Sequence, residues 1–439
     1  MKTFSDLGIR IPDILLPQNT DLKSWPVIAC DQYTQDRDYW KKAEKAADGK
    51  PSTINLILPE VYLNDSGKEK RIAHIKTAMQ QYIADGVFAP EIHGFIYVER
   101  RTAYGRLRHG LVTAIDLETY EWKPFSKALI RATEATIIDR IPPRKEIRKN
   151  APLELPHIML LVNDPAHELI EGTGTVLKTA GDAPVYDGDL MMNGGHITGW
   201  AVPEKINDTV LASLTRIAQA NTAADGSTFM FAVGDGNHSL ATAKAVWDEY
   251  KTTLSEEERG TSRVRYALVE VVNIYDTGLT FEPIHRAVFG AGTTELITAL
   301  RTELGGSVRE CSSAAELAEK VKQSAASFGF VYSTAGKMSY TLLETPVTEL
   351  AVARFQPVVD EFIQKENASG KNLTIDYIHG SGETIKLGSK PETTGILLPP
   401  VDKDSFFTTI SSRGPLPRKS FSMGEADEKR FYLECRKLF

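Results

Sequence analysis

The stretch Phe229–Trp247, FMFAVGDGNHSLATAKAVW, runs from a strand pattern into a helix pattern through a Gly-Asp-Gly turn. The apolar run Phe229–Val233 is short and is bounded by glycine, which is typical of a buried strand. Beyond the turn, Leu240, Ala243 and Trp247 recur at spacings of three and four residues, as the buried face of a helix does. The sequence therefore predicts mixed α and β structure, with a strand that leads directly into a helix.

The turn itself carries side chains that suit a ligand. The N–H groups of the first helical turn point away from the helix with a partial positive charge, so they attract phosphate or carboxylate. Gly234 and Gly236 permit a tight turn and a close approach of the backbone to a ligand. Asn237 and Ser239 add neutral donors, and His238 donates to an oxyanion or exchanges a proton.

Helix capping explains part of the same pattern. Asp235 or Asn237 would cap the helix while the glycines form the turn, and this alternative requires no ligand. It leaves His238 without a role, so we favour a binding or catalytic site. The pattern matches neither the P-loop G-x-x-x-x-G-K-[ST] nor G-x-G-x-x-G, so the common nucleotide-binding folds are not indicated.

A second cluster of charges lies in IRATEATIIDRIPPRKEIR, residues 130–148. Glu134, with Arg131 close by in the sequence, is a candidate general base. Arg144 and Arg148 are four residues apart after two prolines, so they share one helix face and suit a phosphate clamp. A solvated charged face with surface ion pairs explains these residues equally well.

Two shorter motifs complete the candidate residues. His285 and Arg286, in EPIHRAV, directly follow an apolar strand. Arg418, Lys419 and Ser420, in PLPRKSF, place two cations and a hydroxyl in a loop that prolines stiffen. These residues would form a cationic wall around a ligand, while a capped turn and a solvated loop are the respective alternatives.

The length of 439 residues predicts two domains, or one large domain with an insertion. We expect a core domain over residues 1–290 that bears the site. An inserted or appended α+β segment is expected over residues 291–390. Residues 391–439, rich in proline, serine and basic side chains near their middle, are expected to return to the core.

Charge and cysteine content limit the function further. A net charge of −7 argues against general binding to nucleic acid or to anionic membranes. The three cysteines, Cys30, Cys311 and Cys435, are far apart, which argues against a disulfide framework or a structural zinc site. The first residues lack the apolar region of a signal peptide, and no stretch approaches the ~20 apolar residues of a spanning helix. We therefore expect a cytoplasmic protein without a membrane segment.

In their order, these motifs resemble the bacterial and archaeal family numbered 1015 among the domains of unknown function. VGDGNHSLATA corresponds to its Asp-Gly-x-His element, FEPIHRAV to Pro-x-His-Arg, and LPRKSF to Pro-x-Lys-Ser. IRATEAT lies where the family has His-Glu-x-Thr with a downstream arginine, and IACDQYT lies where it has a Pro-Pro-Tyr-Asp loop. The resemblance spans nearly the whole chain.

The resemblance implies a fold and a chemistry. The family's Asp-Gly-His-His-Arg segment is similar to the phosphate-binding element of the ParB/sulfiredoxin-like superfamily, which includes a free-serine kinase. This implies an α+β fold with a ParB/sulfiredoxin-like core, in which residues 234–239 hold nucleotide phosphates and Glu134 activates a small hydroxyl substrate. Here Asn237 stands in place of a family histidine and Ser239 in place of the arginine that grips phosphate in two places.

The leading hypothesis is an enzyme that binds a nucleotide or another phosphorylated small molecule, with phosphoryl transfer as the reaction class. Asp235 would hold Mg²⁺ or orient a reacting group, His238 would bind or protonate phosphate, and Glu134 would be the general base. The other predicted ligand-binding residues are Gly234, Gly236, Asn237, Ser239, Arg131, His285, Arg286, Arg418, Lys419 and Ser420.

Two alternatives stay open. The substitutions at Asn237 and Ser239 favour a non-catalytic ligand-binding or regulatory protein of the same fold. A metal-dependent hydrolase would instead use Asp235, His238 and His285 as ligands, residue types that suit zinc or manganese. The sequence indicates neither the substrate nor the oligomeric state.

Overall fold

The structure is a computed structural model that describes residues 2–135, 139, 141–290 and 292–439. The chain divides into two compact units. Unit 1 comprises Met1–Ala132, Thr136–Leu279 and Gly424–Phe439, and unit 2 comprises Thr133–Ala135 and Thr280–Met423.

Unit 1 is built on a mixed sheet whose central strands are buried on both faces. Its strands are β1 (Ile9–Arg10), β2 (Asp13–Ile14), β3 (Ile92–His93), β4 (Ile96–Arg101), β5 (Leu107–Asp116), β6 (Tyr120–Glu121), β7 (Ile130–Ala132), β8 (Leu153–Glu154), β9 (Met159–Val162), β10 (Tyr186–Asp189), β11 (His196–Ala201), β12 (Phe231–Asp235) and β13 (Tyr266–Asn273). The main sheet has the order β10-β11-β4-β5-β13-β9-β12-β7-β6, with β1 beside β5. Strand β12 pairs antiparallel with β9 and parallel with β7, so both strand orientations occur.

Unit 1 also contains seven α-helices in the described ranges, most of which bury apolar side chains. They are α1 (Arg37–Ala47), α2 (Lys68–Ala84), α3 (Ile141–Arg148), α4 (Ile170–Ala180), α5 (Asn207–Ala220), α6 (Asn237–Tyr250) and α7 (Glu256–Thr261). Leu240, Ala243 and Trp247 of α6 are buried, as their spacing predicts. The prediction of an α+β fold is confirmed, whereas a ParB/sulfiredoxin-like core stays a prediction.

Unit 2 contains a second mixed α and β layer. Its strands are β14 (Phe281–Phe289), β15 (Ser307–Glu310), β16 (Ser327–Thr334), β17 (Lys337–Glu344), β18 (Thr374–His379), β19 (Thr393–Leu397) and β20 (Phe421–Met423), and its helices are α8 (Thr293–Leu304), α9 (Ala314–Lys322), α10 (Ala351–Ala368), α11 (Ser381–Gly388) and α12 (Lys403–Arg413). The sheet has the order β15-β17-β16-β19-β14-β18, with β20 on β14. Phe328 and Phe355 stack at the centre of its core.

The observed boundary between the units differs from the predicted one. Strand β14 pairs with β18, β19 and β20, so the second unit begins at Thr280 rather than near residue 291. Because β20 belongs to the same sheet, unit 2 extends to Met423, and only Gly424–Phe439 return to unit 1. Sequence periodicity shows a strand but not the sheet in which it pairs, which explains the difference.

The returning segment, Gly424–Phe439, is held in unit 1 by buried charges and includes β21 (Arg436–Lys437), which pairs with β8. Arg100 donates to the carbonyl oxygen of Lys429 (2.7 Å) and Arg108 to that of Glu428 (2.8 Å). Arg430 forms buried ion pairs with Glu270 and with Glu434. These contacts fix the register of the segment against β4, β5 and β13.

No helix in the described ranges is both long and apolar enough to cross a membrane.

Candidate functional site

The joint between β12 and α6 has a backbone that requires glycine. Strand β12 ends at Asp235, and α6 begins at Asn237. Between them Gly236 has φ 84° and ψ 27°, the left-handed conformation that other residues adopt at a cost. A Cβ atom on Gly236 would lie 3.0 Å from Ile158 Cγ1 and 3.1 Å from Ile158 Cα. The glycine therefore allows the chain to turn tightly against the residue that precedes β9.

The start of α6 lacks the side-chain cap that the alternative interpretation requires. Its N-cap residue is Gly236, and no side chain of the described residues caps the helix. The Asp235 carboxylate accepts a hydrogen bond from the N–H of Gly236 instead (3.1 Å). Capping by Asp235 or Asn237 is thus wrong as an explanation of this sequence. The positive end of the helix dipole remains at the joint.

A buried lysine from the returning segment faces the same joint. Lys429 Nζ lies 3.5 Å from Asp235 Oδ2, and the residue is 7% exposed. Asp235 Oδ2 is itself buried, with no hydrogen-bond partner among the described residues. A carboxylate oxygen in this state is able to accept one further donor or a cation.

A histidine also lies at the helix start. His157 Nε2 is 3.1 Å from Ser239 Oγ, and its Nδ1 is 2.7 Å from the Tyr432 hydroxyl. Asp31 Oδ2 lies 3.6 Å from the same Nε2 atom. All three partners come from distant parts of the chain.

The neighbouring charges favour the protonated form of His157. Burial alone lowers the pKa of His157, but the carboxylate of Asp31 outweighs it, so the pKa is raised above its ordinary value. Burial likewise opposes ionisation of Asp31, yet the charge of His157 brings the pKa of Asp31 well below its usual range. The pair is therefore an imidazolium and a carboxylate.

This arrangement is not a catalytic triad. In a Ser-His-Asp triad the carboxylate accepts from Nδ1 while the serine faces Nε2. Here Asp31 and Ser239 both lie on the Nε2 side, and Nδ1 faces Tyr432. As an imidazolium, His157 donates through both nitrogens, so it cannot take a proton from Ser239. Its role is to place positive charge beside the start of α6.

We expect the variant Asp31→Asn to lower the pKa of His157, because burial remains while the main opposing charge is gone. A raised native pKa means that His157 stabilises unit 1 below the pKa of unfolded histidine, about 6.5, and that this stabilisation is lost as the pH rises through the native value. Titration of the His157 ring signals by NMR and urea unfolding at several pH values measure both effects. In the control Tyr432→Phe the carboxylate stays, so the pKa should stay raised. A titration unchanged by Asp31→Asn would contradict the assignment.

Arg131, a predicted ligand-binding residue, points elsewhere. It lies on β7 opposite Ala232, donates from Nε to the Ala128 carbonyl oxygen (2.8 Å), and stacks on the Phe229 ring at 4.5 Å. Phe229 precedes Asp235 by six residues of extended chain, roughly 20 Å at the usual rise of a strand. The guanidinium is therefore at the opposite end of β12 from the α6 start, and the prediction for Arg131 is wrong.

The remaining predicted residues lie in unit 2. Glu134 forms a bridge with Leu416, and its Oε1 accepts the N–H of Ser420 (3.3 Å). The Ser420 hydroxyl donates to the Pro417 carbonyl oxygen (2.5 Å), while Arg418 and Lys419 are exposed. The loop that carries these residues thus positions the Glu134 carboxylate.

Arg286 and Lys419 both lie over one aromatic ring, that of Tyr377. Arg286 Cζ lies 4.5 Å and Lys419 Nζ 5.9 Å from the centroid of Tyr377. Arg286 is fully buried and donates to Gln356 Oε1 (2.7 Å), and burial lowers its pKa to about 10. It stays charged at neutral pH.

His285 does not contribute a cation to this group. Its Nδ1 accepts the N–H of Leu398 (3.1 Å), so the neutral ring carries its proton on Nε2. Burial, reinforced by the charge of Arg286, lowers the pKa of His285 to about 4. The prediction of a cationic wall is wrong for this residue because its ring is buried and neutral.

The predicted residues therefore form two groups. Gly234, Asp235, Gly236, Asn237, His238 and Ser239 lie together in unit 1, whereas Glu134, His285, Arg286, Arg418, Lys419 and Ser420 lie in unit 2. Arg140, the arginine downstream of Glu134, is outside the described residues. Within the described ranges, no three or more histidine, cysteine, aspartate or glutamate side chains are grouped to hold a metal ion. The three-ligand site of the hydrolase alternative is not observed there.

Four residues at the α6 start were missed by sequence reasoning, namely Asp31, His157, Lys429 and Tyr432. Asp31 lies in IACDQYT, which the family resemblance marks, and His157 directly precedes an apolar strand. Lys429 and Tyr432 lie near the C-terminal end, in a segment where charged residues alternate densely with apolar ones. That pattern is the signal that could have marked them as buried and charged.

Comparison with known proteins supports a family but not an activity. The family described as "Protein of unknown function (DUF1015)" matches residues 13–362. No curated protein matches the sequence. Among solved structures, a free serine kinase mutant in complex with AMP is similar with a TM-score of 0.37 and 10% identity over 74% of this chain and 91% of that chain. A conserved hypothetical protein from Pyrococcus furiosus has a TM-score of 0.34 and 12% identity, over 75% and 97% of the two chains. SbnI with a C-terminal truncation, from Staphylococcus aureus, has a TM-score of 0.35 and 10% identity, over 73% of this chain and 85% of that chain.

Proposed function

We propose that this chain, which belongs to the DUF1015 family of proteins of unknown function, binds a nucleotide or another phosphorylated small molecule at the start of α6. The observation that carries the proposal is that two cations, Lys429 and His157, lie at a helix start that no side chain of the described residues caps. Backbone N–H groups and fixed positive charges are the groups that bind phosphate in proteins.

The two cations take over a task that the family assigns to an arginine. Ser239 replaces that arginine, and its hydroxyl is engaged with His157 at 3.1 Å. The imidazolium therefore brings to this position the positive charge that serine lacks. Lys429 does the same beside Asp235. Each cation is compensated by one carboxylate, so the joint would bind an anion through directed donors rather than through a large excess of charge.

Asp235 fits the role of a magnesium ligand. Its Oδ2 atom is buried and lacks a hydrogen-bond partner among the described residues, and Mg²⁺ is commonly held by one or two carboxylates together with substrate phosphates. When bound, Mg²⁺ would neutralise charge on the phosphates. The tasks of the chain's own residues are to bind and orient the ligand through Lys429, His157 and the α6 backbone.

The reaction class we propose is phosphoryl transfer to a small hydroxyl compound. The bond between the transferred phosphorus and its leaving oxygen breaks, a new phosphorus–oxygen bond to the hydroxyl forms, and the hydroxyl proton passes to a general base. Glu134, which lies in unit 2, stays a prediction for that base. The variant Glu134→Gln should leave nucleotide affinity unchanged and lower turnover, since a glutamine cannot accept the proton.

A thermal-shift screen tests binding directly. ATP, ADP, CTP, inorganic phosphate and sugar phosphates, each with and without Mg²⁺, should raise the melting temperature, because a ligand at 100 times its Kd stabilises by about 2.7 kcal/mol. Lys429→Met should remove the shift, and Asp235→Ala should remove its dependence on Mg²⁺. The control Lys365→Met, at an exposed lysine of α10, should keep it. Absence of any shift with every compound would overturn the proposal.

A non-catalytic ligand-binding protein is the second candidate. The engagement of Ser239 by His157 favours it, because a side chain tied to the protein is not available for chemistry. Binding without product, measured by incubation of ATP with small hydroxyl compounds and phosphorus NMR, would favour this candidate. Measurable transfer would exclude it.

A further inference from the structure

A mostly apolar pocket in unit 1 adjoins the start of α6, since His157 and Ser239 also line it. It encloses about 140 Å³, and most of its lining is apolar, including Leu58, Met79, Ile147 and Leu153. The volume is close to the ~150 Å³ of an engineered apolar cavity that binds benzene. The pocket therefore has room for an apolar group of about six carbon atoms.

One wall of this pocket carries an uneven set of charges. Glu154, 2% exposed at its side chain, forms an ion pair with Arg148 (2.5 Å) and a second one with Arg436. Its Oε2 atom also accepts the N–H of Leu268 (3.1 Å). Burial opposes its ionisation, but the two arginines lower the pKa of Glu154 below its ordinary value. One carboxylate thus serves two guanidinium groups.

The other two cations that line the pocket, Arg144 and His157, are each paired with one carboxylate. Arg144 pairs with Glu60, and the imidazolium of His157 pairs with Asp31. In the part of the chain that the structure describes, neither Arg148 nor Arg436 has an ion pair with a second carboxylate. Arg148, which lines the pocket, therefore shares the Glu154 carboxylate with Arg436, which does not line it, so the positive charge of Arg148 is incompletely neutralised.

Arg148 also has donor capacity that the fold leaves unused. Its Nε atom is buried and has no hydrogen-bond partner within the described ranges. An unpaired buried donor costs about 1–3 kcal/mol, and more when the group is charged. An anion that enters the pocket would remove this cost.

We propose that this pocket binds a small monocarboxylate with an apolar tail of about six carbon atoms. The carboxylate would accept hydrogen bonds from Arg148, and the tail would fill the apolar space. The pocket shares His157 and Ser239 with the start of α6, but Lys429 does not line it. Loss of the phosphate shift in Lys429→Met and loss of the hexanoate preference in Arg148→Met therefore test the two proposals separately.

Three probes of matched chain length and one short carboxylate test the proposal on the full chain by calorimetry. Hexanoate has both the apolar tail and the carboxylate, whereas hexan-1-ol has only the tail and acetate only the carboxylate. Hexylammonium has the tail with a positive charge. We expect hexanoate to bind at least about tenfold more tightly than hexan-1-ol or acetate, and hexylammonium not to bind. Equal affinities for hexanoate and hexan-1-ol, or no binding of any probe, would overturn the proposal.

Two variants locate the site. Arg148→Met keeps the apolar stem, so it should remove the preference for hexanoate over hexan-1-ol while hexan-1-ol still binds. Ala151→Leu adds volume to a buried residue of the lining and should weaken hexanoate at least about tenfold. The control Ala103→Leu, at an exposed position, should change nothing. If Ala151→Leu does not fold, Arg148→Met alone decides, and unchanged hexanoate binding in it refutes the assignment.

Discussion

Replacing Glu270 by glutamine should destabilise unit 1 by about 3–5 kcal/mol. Glu270 is 2% exposed and faces Arg430 and Arg108, the latter at 3.5 Å. Burial opposes its ionisation, yet both arginines lower the pKa of Glu270, so the carboxylate is charged. Glutamine preserves shape but leaves two buried guanidinium groups with one fewer opposing charge, which is the costly way to break a buried pair.

Tryptophan fluorescence is a selective measure of this effect. All five tryptophans, Trp25, Trp40, Trp122, Trp200 and Trp247, lie in unit 1. Urea unfolding followed by their emission therefore reports the free energy of unfolding of that unit.

Glu168→Gln provides the matched control for the glutamate variant. Glu168 pairs with Arg216 at 2.6 Å on the surface of unit 1. Exposed pairs contribute about 0–1 kcal/mol, so this variant should unfold almost as the native protein does. Similar losses in Glu270→Gln and Glu168→Gln would show that the buried network does not hold unit 1 together.

Gly236→Ala should destabilise unit 1 by about 2–5 kcal/mol and abolish ligand-induced thermal shifts at the α6 start. A left-handed alanine costs roughly 1–2 kcal/mol, and forcing a methyl group against well-packed atoms costs about 1–3 kcal/mol more. The new Cβ would meet Ile158 at 3.0 Å, including its backbone Cα at 3.1 Å, so the joint itself must move.

Gly86→Ala is the control that separates the cost of the left-handed backbone from the cost of the contact with Ile158. Gly86 follows helix α2 with φ 67°, but a Cβ there would have no atom within 4 Å. It should therefore show only the backbone cost, about 1–2 kcal/mol, and it should keep any ligand-induced thermal shift. Both variants are followed by tryptophan emission. Equal losses would mean that the contact with Ile158 does not matter.

Local sequence patterns predicted the strand-to-helix joint at which the candidate site is placed. The apolar run before Asp235 and the helical spacing after it are short-range features, and α6 begins at Asn237 as they require. Arg131 was misplaced because the orientation of a side chain depends on strand pairing, here with Ala232. Capping by Asp235 was misjudged because the carboxylate bonds the adjacent N–H instead.

The partners that give the site its charge were beyond local reasoning. His157 and Tyr432 are 275 residues apart, and no period or motif links them in the sequence. Lys429 likewise reaches Asp235 only because the chain returns to unit 1 after completing unit 2. Such contacts follow from sheet topology, which single-sequence patterns do not specify.

The return of Gly424–Phe439 has a consequence for synthesis on the ribosome. Residues 280–423 are translated between the body of unit 1 and its last segment, a delay on the order of ten seconds at usual rates. Throughout this interval Glu270 lacks Arg430, and Asp235 lacks Lys429. A nascent or prematurely terminated chain therefore contains the Gly-Asp-Gly joint without Lys429, and His157 without its partner Tyr432. Competence to bind ligand would thus appear only once translation has passed Tyr432.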